Sequence, residues 1–171
     1  MKLSEETGMK TIYIVRHARA HRKGTNSSDF DRTLTKTGQI DAHHIGSFLK
    51  SRKVLPDLII SSAAPRAIET AEILAAEIQY PLSKIEINQN LYEIEFEDFL
   101  EILTHLNDNY QSVMFVGHNP PVSTMSDYLT KFGVGILPPG SIFCCEFKID
   151  TWQAISKYGG MCKFFEFPKN S

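Results

Sequence analysis

The apolar positions of this chain follow two different periods. Thr11 to Val15 (TIYIV), Leu58 to Ile60 (LII) and Val113 to Val116 (VMFV) are short uninterrupted apolar runs, the pattern of strands buried on both faces. Ile85 to Ile87 predicts a weaker strand. Between these runs apolar residues recur at helical spacing. Ala42, Ile45, Phe48 and Leu49 follow Thr35, a residue suited to an N-cap, and Ala67, Ala71, Leu74 and Ile78 follow Pro65, which suits a first helical turn. Phe96, Phe99, Leu100 and Leu103 mark a third helix, and Met125 and Leu129 a fourth. Strand, turn and helix repeat three times with short connections, which predicts an α/β fold, a three-layer α/β/α sandwich around a mostly parallel central sheet. The tail differs. Ile142 to Ile149 and Met161 to Phe167 are β-like and aromatic-rich, separated by a turn around Trp152 and by Gly159-Gly160, and are expected to add strands at a sheet edge. Ala18 to Leu34 reads as a loop. With no repeat or linker, residues 1–171 form one domain, residues 1–10 being a flexible start.

At 171 residues the chain can bury roughly two thirds of its unfolded surface, enough for a core without staples. A formal charge of −2 supplies no global attraction to nucleic acid or to an anionic membrane, so neither is an expected partner, although a local cluster can still bind a phosphate. Three cysteines, Cys144, Cys145 and Cys162, cannot all pair within one chain and read as reduced thiols. Met1 to Lys10 lacks the apolar core of a signal peptide and no apolar run reaches membrane-spanning length, so the expectation is a cytoplasmic protein.

In open α/β sheets ligands gather beyond the carboxyl ends of the strands. Three predicted strands deliver polar groups there: Arg16-His17 after the first, Ser61-Ser62 leading to Arg66 after the second, and Gly117-His118-Asn119 after the third. Parallel strands would bring two histidines and two arginines into one crevice, a phosphate site with a candidate nucleophile. Arginine grips phosphate oxygens with a planar fork, and a neutral imidazole can attack phosphorus. No GxxxxGK[ST] or GxGxxG follows a strand, which disfavours ATP-dependent and dinucleotide chemistry, and no HExxH or CxxC accompanies the six histidines. His21 reads as a solvated or rim residue, and His43, His44 and His105 as structural or exposed. Taken singly, Arg66 suits a structural ion pair equally well.

Val15-Arg16-His17-Ala18, Asp31-Arg32-Thr33-Leu34-Thr35, Ser61-Ser62 followed by Arg66, Leu91-Tyr92-Glu93, and Val116-Gly117-His118-Asn119 together resemble the histidine phosphatase superfamily, and most closely its SixA-like phosphohistidine phosphatases. The resemblance spans Thr11 to Leu129. It implies a phosphatase that needs no metal or other cofactor and acts through a phosphohistidine intermediate. On that footing His17 is the nucleophile, Arg16, Arg66 and His118 bind the phosphoryl oxygens, and Arg32 and Asn119 are further substrate ligands. Glu93 matches the general acid of the phosphomutase relatives, although a capping role at the Phe96 helix is the competing expectation. Ala18 replaces the glycine usual after the nucleophile. The absence of long insertions leaves the crevice uncapped, which favours a phosphorylated protein side chain, phosphohistidine above all, as substrate. A small-molecule phosphomonoesterase using Glu93, or a catalytically weak phosphate-binding module, are the alternatives. With an ordinary histidine near 6.5, activity is expected to fall below about pH 6 unless nearby arginines lower that value.

Overall fold

The computed structural model describes residues 7–169. Six strands make one sheet: β1 (Lys10–Arg16), β2 (Leu58–Ser62), β3 (Glu86–Asn88), β4 (Ser112–Gly117), β5 (Ile142–Phe147) and β6 (Met161–Glu166). Their order is β3-β2-β4-β1-β5-β6. The first four are mutually parallel, while β5 runs antiparallel to β1 and β6 antiparallel to β5. The expected three-layer sandwich, mostly parallel with C-terminal strands added at one edge, is the architecture observed. Four helices cover it: α1 (Lys36–Ser51), α2 (Pro65–Glu77), α3 (Phe96–Thr104) and α4 (Pro121–Leu129).

The uninterrupted apolar runs are explained by the two helical layers. Ile12, Ile14, Leu58, Ile60, Val113 and Phe115 share a core with Phe99 and Leu103 of α3 and Met125 and Leu129 of α4. Val15, Ile59, Met114 and Val116, at the alternate positions, pack with Ile45 and Leu49 of α1 and Ala67, Ala71 and Leu74 of α2. Each such fully buried aliphatic side chain contributes about 1.5–3 kcal/mol relative to exposure. Thr35 caps α1 as expected, its side chain accepting the Gly38 N–H at 3.0 Å.

One boundary falls at the serines that follow the second apolar run, and another differs from expectation for a physical reason. β2 runs on through Ser61 and Ser62, whose hydroxyls find internal partners although both residues are wholly buried. The flexible start expected over residues 1–10 lies largely outside the described residues, which begin at Thr7, but its last residue, Lys10, already belongs to β1. Lys10 opens β1 fully buried, its Nζ donating to the carbonyls of Asp108 (2.6 Å) and Tyr110 (2.8 Å) and lying 5.2 Å from the Trp152 ring. A buried ammonium is tolerable only with such partners.

Candidate active site

β4 lies between β1 and β2, with Arg16 opposite Gly117 and Ser61 opposite Val116. His17, Ser62 and His118 therefore emerge side by side at the carboxyl edge of the sheet. The backbone after β1 is clamped there. Gly140, at φ +75°, donates its N–H to the carbonyls of Arg16 and His17, and the Ala18 N–H donates to Thr70 Oγ1 at 3.0 Å. Ala18 is wholly buried in a small cluster with Leu34 and Ala42, so its methyl group is accommodated by packing. The next turn is held by a close approach: a Cβ on Gly38 would lie 2.1 Å from the Arg19 carbonyl oxygen, a contact only glycine permits.

The His17 ring is oriented by its own strand end. Nδ1 lies 2.8 Å from the Ala18 carbonyl, which can only accept, so Nδ1 carries the proton and Nε2 bears the lone pair. Arg66 Nε donates to that Nε2 at 3.3 Å. The His118 ring stands 5.0 Å from His17, centroid to centroid, and its Nε2 is 2.7 Å from Ser62 Oγ. Both imidazoles are kept neutral. His17 is pushed down to about 4, chiefly by burial, with the Arg66, Arg16 and Arg32 charges acting in the same direction against the opposing bond to the Ala18 carbonyl. His118 is pushed down to about 3, again by burial first and then by His17 and Arg66. The ordinary value near 6.5 assumed from sequence is corrected accordingly, and burial outranks the arginines as its cause.

Arg66, at the start of α2, is 3% exposed. Besides its contact with His17, its Nη1 donates to the Asp29 carbonyl (2.7 Å) and its Nη2 to the Asp29 carboxylate (3.0 Å). Arg66 thus makes an ion pair with Asp29 and also stands against the His17 ring. Asp29 also accepts from Arg32 Nη1 (2.8 Å) and from the Tyr92 hydroxyl (2.7 Å), and the Arg32 and Tyr92 bonds hold its carboxyl well below the usual carboxylate range. Tyr92 packs edge-on against both Phe30 and His118. Asp29 and Tyr92 were not singled out from sequence as site residues. The available signal was an acidic side chain three positions before Arg32, within reach of it by local geometry alone.

The remaining candidates separate. Arg16 Nη1 donates to the Leu137 carbonyl at 2.8 Å, and its Nε is a buried donor without an acceptor among the described residues. Asn119 does not cap α4 with its own side chain. Its Nδ2 donates to the same Leu137 carbonyl (3.0 Å), and its Oδ1 accepts from the Ser123 hydroxyl. Both ends of this amide are engaged, so Asn119 braces the loop that anchors Arg16. Among the described residues no hydrogen bond joins Glu93 to His17 or His118. Its neighbour Tyr92 turns inward, while Glu93 is exposed and lines shallow grooves with Asn119, Pro120 and Thr124 on one side and Asp98 and Glu101 on the other. His21 is exposed and offers its carbonyl to Arg32 Nε. His43 pairs with Glu77, and His105 Nδ1 contacts the Glu101 carbonyl. Among the described residues no group of three or more His, Cys, Asp or Glu is arranged to hold a metal ion, and no helix is long and apolar enough to cross a membrane.

The arrangement combines an unprotonated imidazole nitrogen, a second neutral imidazole and three guanidinium groups converging at one strand edge. Chemically it can bind a tetrahedral oxyanion and offer it a nucleophile.

A fold and site of this kind define the histidine phosphatases. The chain belongs to the histidine phosphatase superfamily (branch 1), whose sequence profile matches residues 12–114. Within it, the fold is that of the compact SixA-like form. A SixA structure from Agrobacterium tumefaciens superposes with a TM-score of 0.78 at 24% identity, covering 93% of this chain and 98% of that one. The protein histidine phosphatase SixA complexed with tungstate superposes with a TM-score of 0.78 at 21% identity, covering 92% and 96%. By sequence, a chloroplastic protein of Arabidopsis thaliana is 30% identical over 118 residues, 64% of this chain and 54% of that one. The chain spans about half the length of the curated relatives it matches.

Proposed function

We propose that this protein is a phosphatase that takes phosphoryl groups from phosphohistidine or another phosphorylated protein side chain through a covalent intermediate on His17. The observation that carries the reading is the His17 ring: Nδ1–H on the Ala18 carbonyl at 2.8 Å, and Nε2 unprotonated and facing Arg66. In the first step the Nε2 lone pair forms a bond to phosphorus as the bond from phosphorus to the substrate nitrogen breaks, and the departing imidazole takes up a proton from water. In the second step water attacks the phosphorus, the bond to Nε2 breaks, and inorganic phosphate leaves with His17 neutral again. Arg16, Arg66 and Arg32 would stabilise charge on the equatorial oxygens, with His118 donating one hydrogen bond. Ser62 Oγ accepts the Ala64 N–H at 3.3 Å, which leaves its own proton for His118 Nε2 and the His118 donor on Nδ1.

The position of Glu93 favours a phosphoprotein over an alkyl phosphate. An alkoxide needs an acid close to the reacting phosphorus, whereas imidazole is a good leaving group without one. The open crevice also suits a macromolecule, as does Ile136, 81% exposed beside the Leu137 carbonyl that anchors Arg16. The relatives named SixA point to the same substrate class.

The test is to mix the protein with labelled phosphoprotein or an aryl phosphate, quench, and follow label on the enzyme. An acid-labile, base-stable adduct that is lost in His17→Ala is expected. An active His17→Ala variant, or activity abolished by a chelator, would overturn the mechanism. Phosphate binding without turnover would favour the binding-module alternative, and a Glu93→Gln variant slowed only on alkyl phosphates would favour the phosphomonoesterase.

A further inference from the structure

The surroundings of His17 are electrically lopsided. On one side an open groove of about 540 Å3 runs past His17, lined by Arg16, Arg19, His21, Arg22 and Arg32 together with Thr35 and Thr37, and by no carboxylate. Arg19 is partly neutralised by Asp41 at 3.4 Å and Arg32 by Asp29 at 2.8 Å, which leaves Arg22 as the outer arginine of the groove with no ion pair among the described residues. Arg22 is exposed, and so are Lys23 and Lys36, chain neighbours of lining residues that extend the positive charge past the groove. On the Tyr92 side the polarity is reversed. Tyr92 adjoins two grooves of about 490 Å3 each, lined by Glu93 and Glu95 in one and by Glu93, Asp98 and Glu101 in the other. Asp29 adds a carboxylate between Arg66 and Tyr92.

We infer that the basic groove receives an acidic polypeptide segment flanking the phosphorylated side chain of the substrate, so that the substrate protein docks in one orientation, its acidic stretch along Arg19 and Arg22 and away from Glu93 and Glu95. The inference rests on the phosphoprotein reading above. A groove this size exceeds what one phosphoryl group needs, and its outer cations are exposed and spread along a rim. That geometry suits a flexible chain of carboxylates better than a second phosphate on a small molecule, which calls for an enclosed set of donors. The acidic rim opposite supplies the discrimination, because a substrate docked in reverse would set like charges against each other.

The experiment compares kcat/KM for two phosphohistidine peptides identical except that the flanking residues are Asp and Glu in one and Asn and Gln in the other. The acidic peptide is expected to be preferred by about tenfold at low salt, with the preference shrinking toward unity at roughly 0.5 M salt, where the Debye length is only a few ångströms. Arg22→Glu combined with Lys23→Glu should abolish or invert the ratio, and Lys157→Glu, remote from the groove, should leave it intact. Equal kcat/KM for the two peptides, or a salt-independent preference that survives the double reversal, overturns the docking inference while the phosphatase reading stands. Hydrolysis of neither peptide, with an aryl phosphate still turned over, overturns the phosphoprotein reading itself. Strong competition by a small bisphosphate with no peptide preference assigns the groove to a second phosphate instead.

Discussion

A nucleophilic histidine buried as deeply as His17 should keep working in acid. Only the neutral imidazole has a lone pair for phosphorus, and burial holds His17 in that form down to about pH 4. At pH 5 an ordinary histidine with a value of 6.5 would be only ~3% neutral, whereas His17 would be ~90% neutral, a difference of about thirtyfold in competent enzyme. The assay is kcat/KM between pH 4 and 8 for two aryl phosphates whose own second ionisations differ, so that a limb belonging to the substrate moves between them and one belonging to the enzyme does not. No enzyme limb is expected above about pH 5. An acid limb near pH 6.5 common to both substrates would refute the reasoning. The same burial has an opposite effect on stability. Below pH 6.5 the unfolded chain takes up protons that folded His17 and His118 exclude, so folding weakens as pH falls from 6.5 toward about 4, by about 1.4 kcal/mol per pH unit for each histidine. Denaturation midpoints should therefore fall through a range in which kcat/KM, corrected for substrate ionisation, is still flat.

Three substitutions probe other parts of the structure. Asp29→Asn removes a carboxylate that would repel a phosphate dianion, while the carbonyls of Asp29 and Phe30 continue to hold Arg66. Because the Asp29 side chain is 47% exposed, the gain is limited by solvent screening to about 1 kcal/mol, so inhibition by inorganic phosphate should tighten by roughly fivefold, and unchanged or weaker inhibition would count against the placement. Gly38→Ala drives a methyl group into the Arg19 carbonyl and should lower stability by about 1–3 kcal/mol while slowing turnover, since the displaced backbone is two residues from His17. A melt and a kcat measurement on that variant test both effects. Lys10→Met removes two charge-assisted hydrogen bonds, leaving the Tyr110 carbonyl to Trp152 Nε1 (3.1 Å) and the Asp108 carbonyl to Gln111 Nε2 (3.4 Å), at a cost of about 1–3 kcal/mol, yet turnover at low temperature should be unchanged because Lys10 lies at the opposite end of β1 from His17.

Much of this molecule is written locally. Continuous apolar runs mark strands covered on both faces, and Thr35 and Pro65 begin helices because cap and first-turn geometry involve only a few neighbouring residues. The Arg16-His17, Arg66 and Gly117-His118 groups were legible because parallel strands with helical crossovers must bring their carboxyl ends to one edge. Which side chains turn into that edge was decided by the tertiary structure. Tyr92 and Glu93 are adjacent in the chain, but only the tyrosine faces His118. Asp29 sits in a polar loop that reads as solvated, yet it bonds Arg66 and Tyr92, respectively 37 and 63 residues away in the chain. The charge states of the two histidines were likewise beyond the sequence, because desolvation depends on everything packed around a ring and not on its neighbours along the chain. The sequence by itself determined which elements form and which chemical groups end the strands; long-range packing decided their orientation, their protonation and the opposite polarities of the two rims.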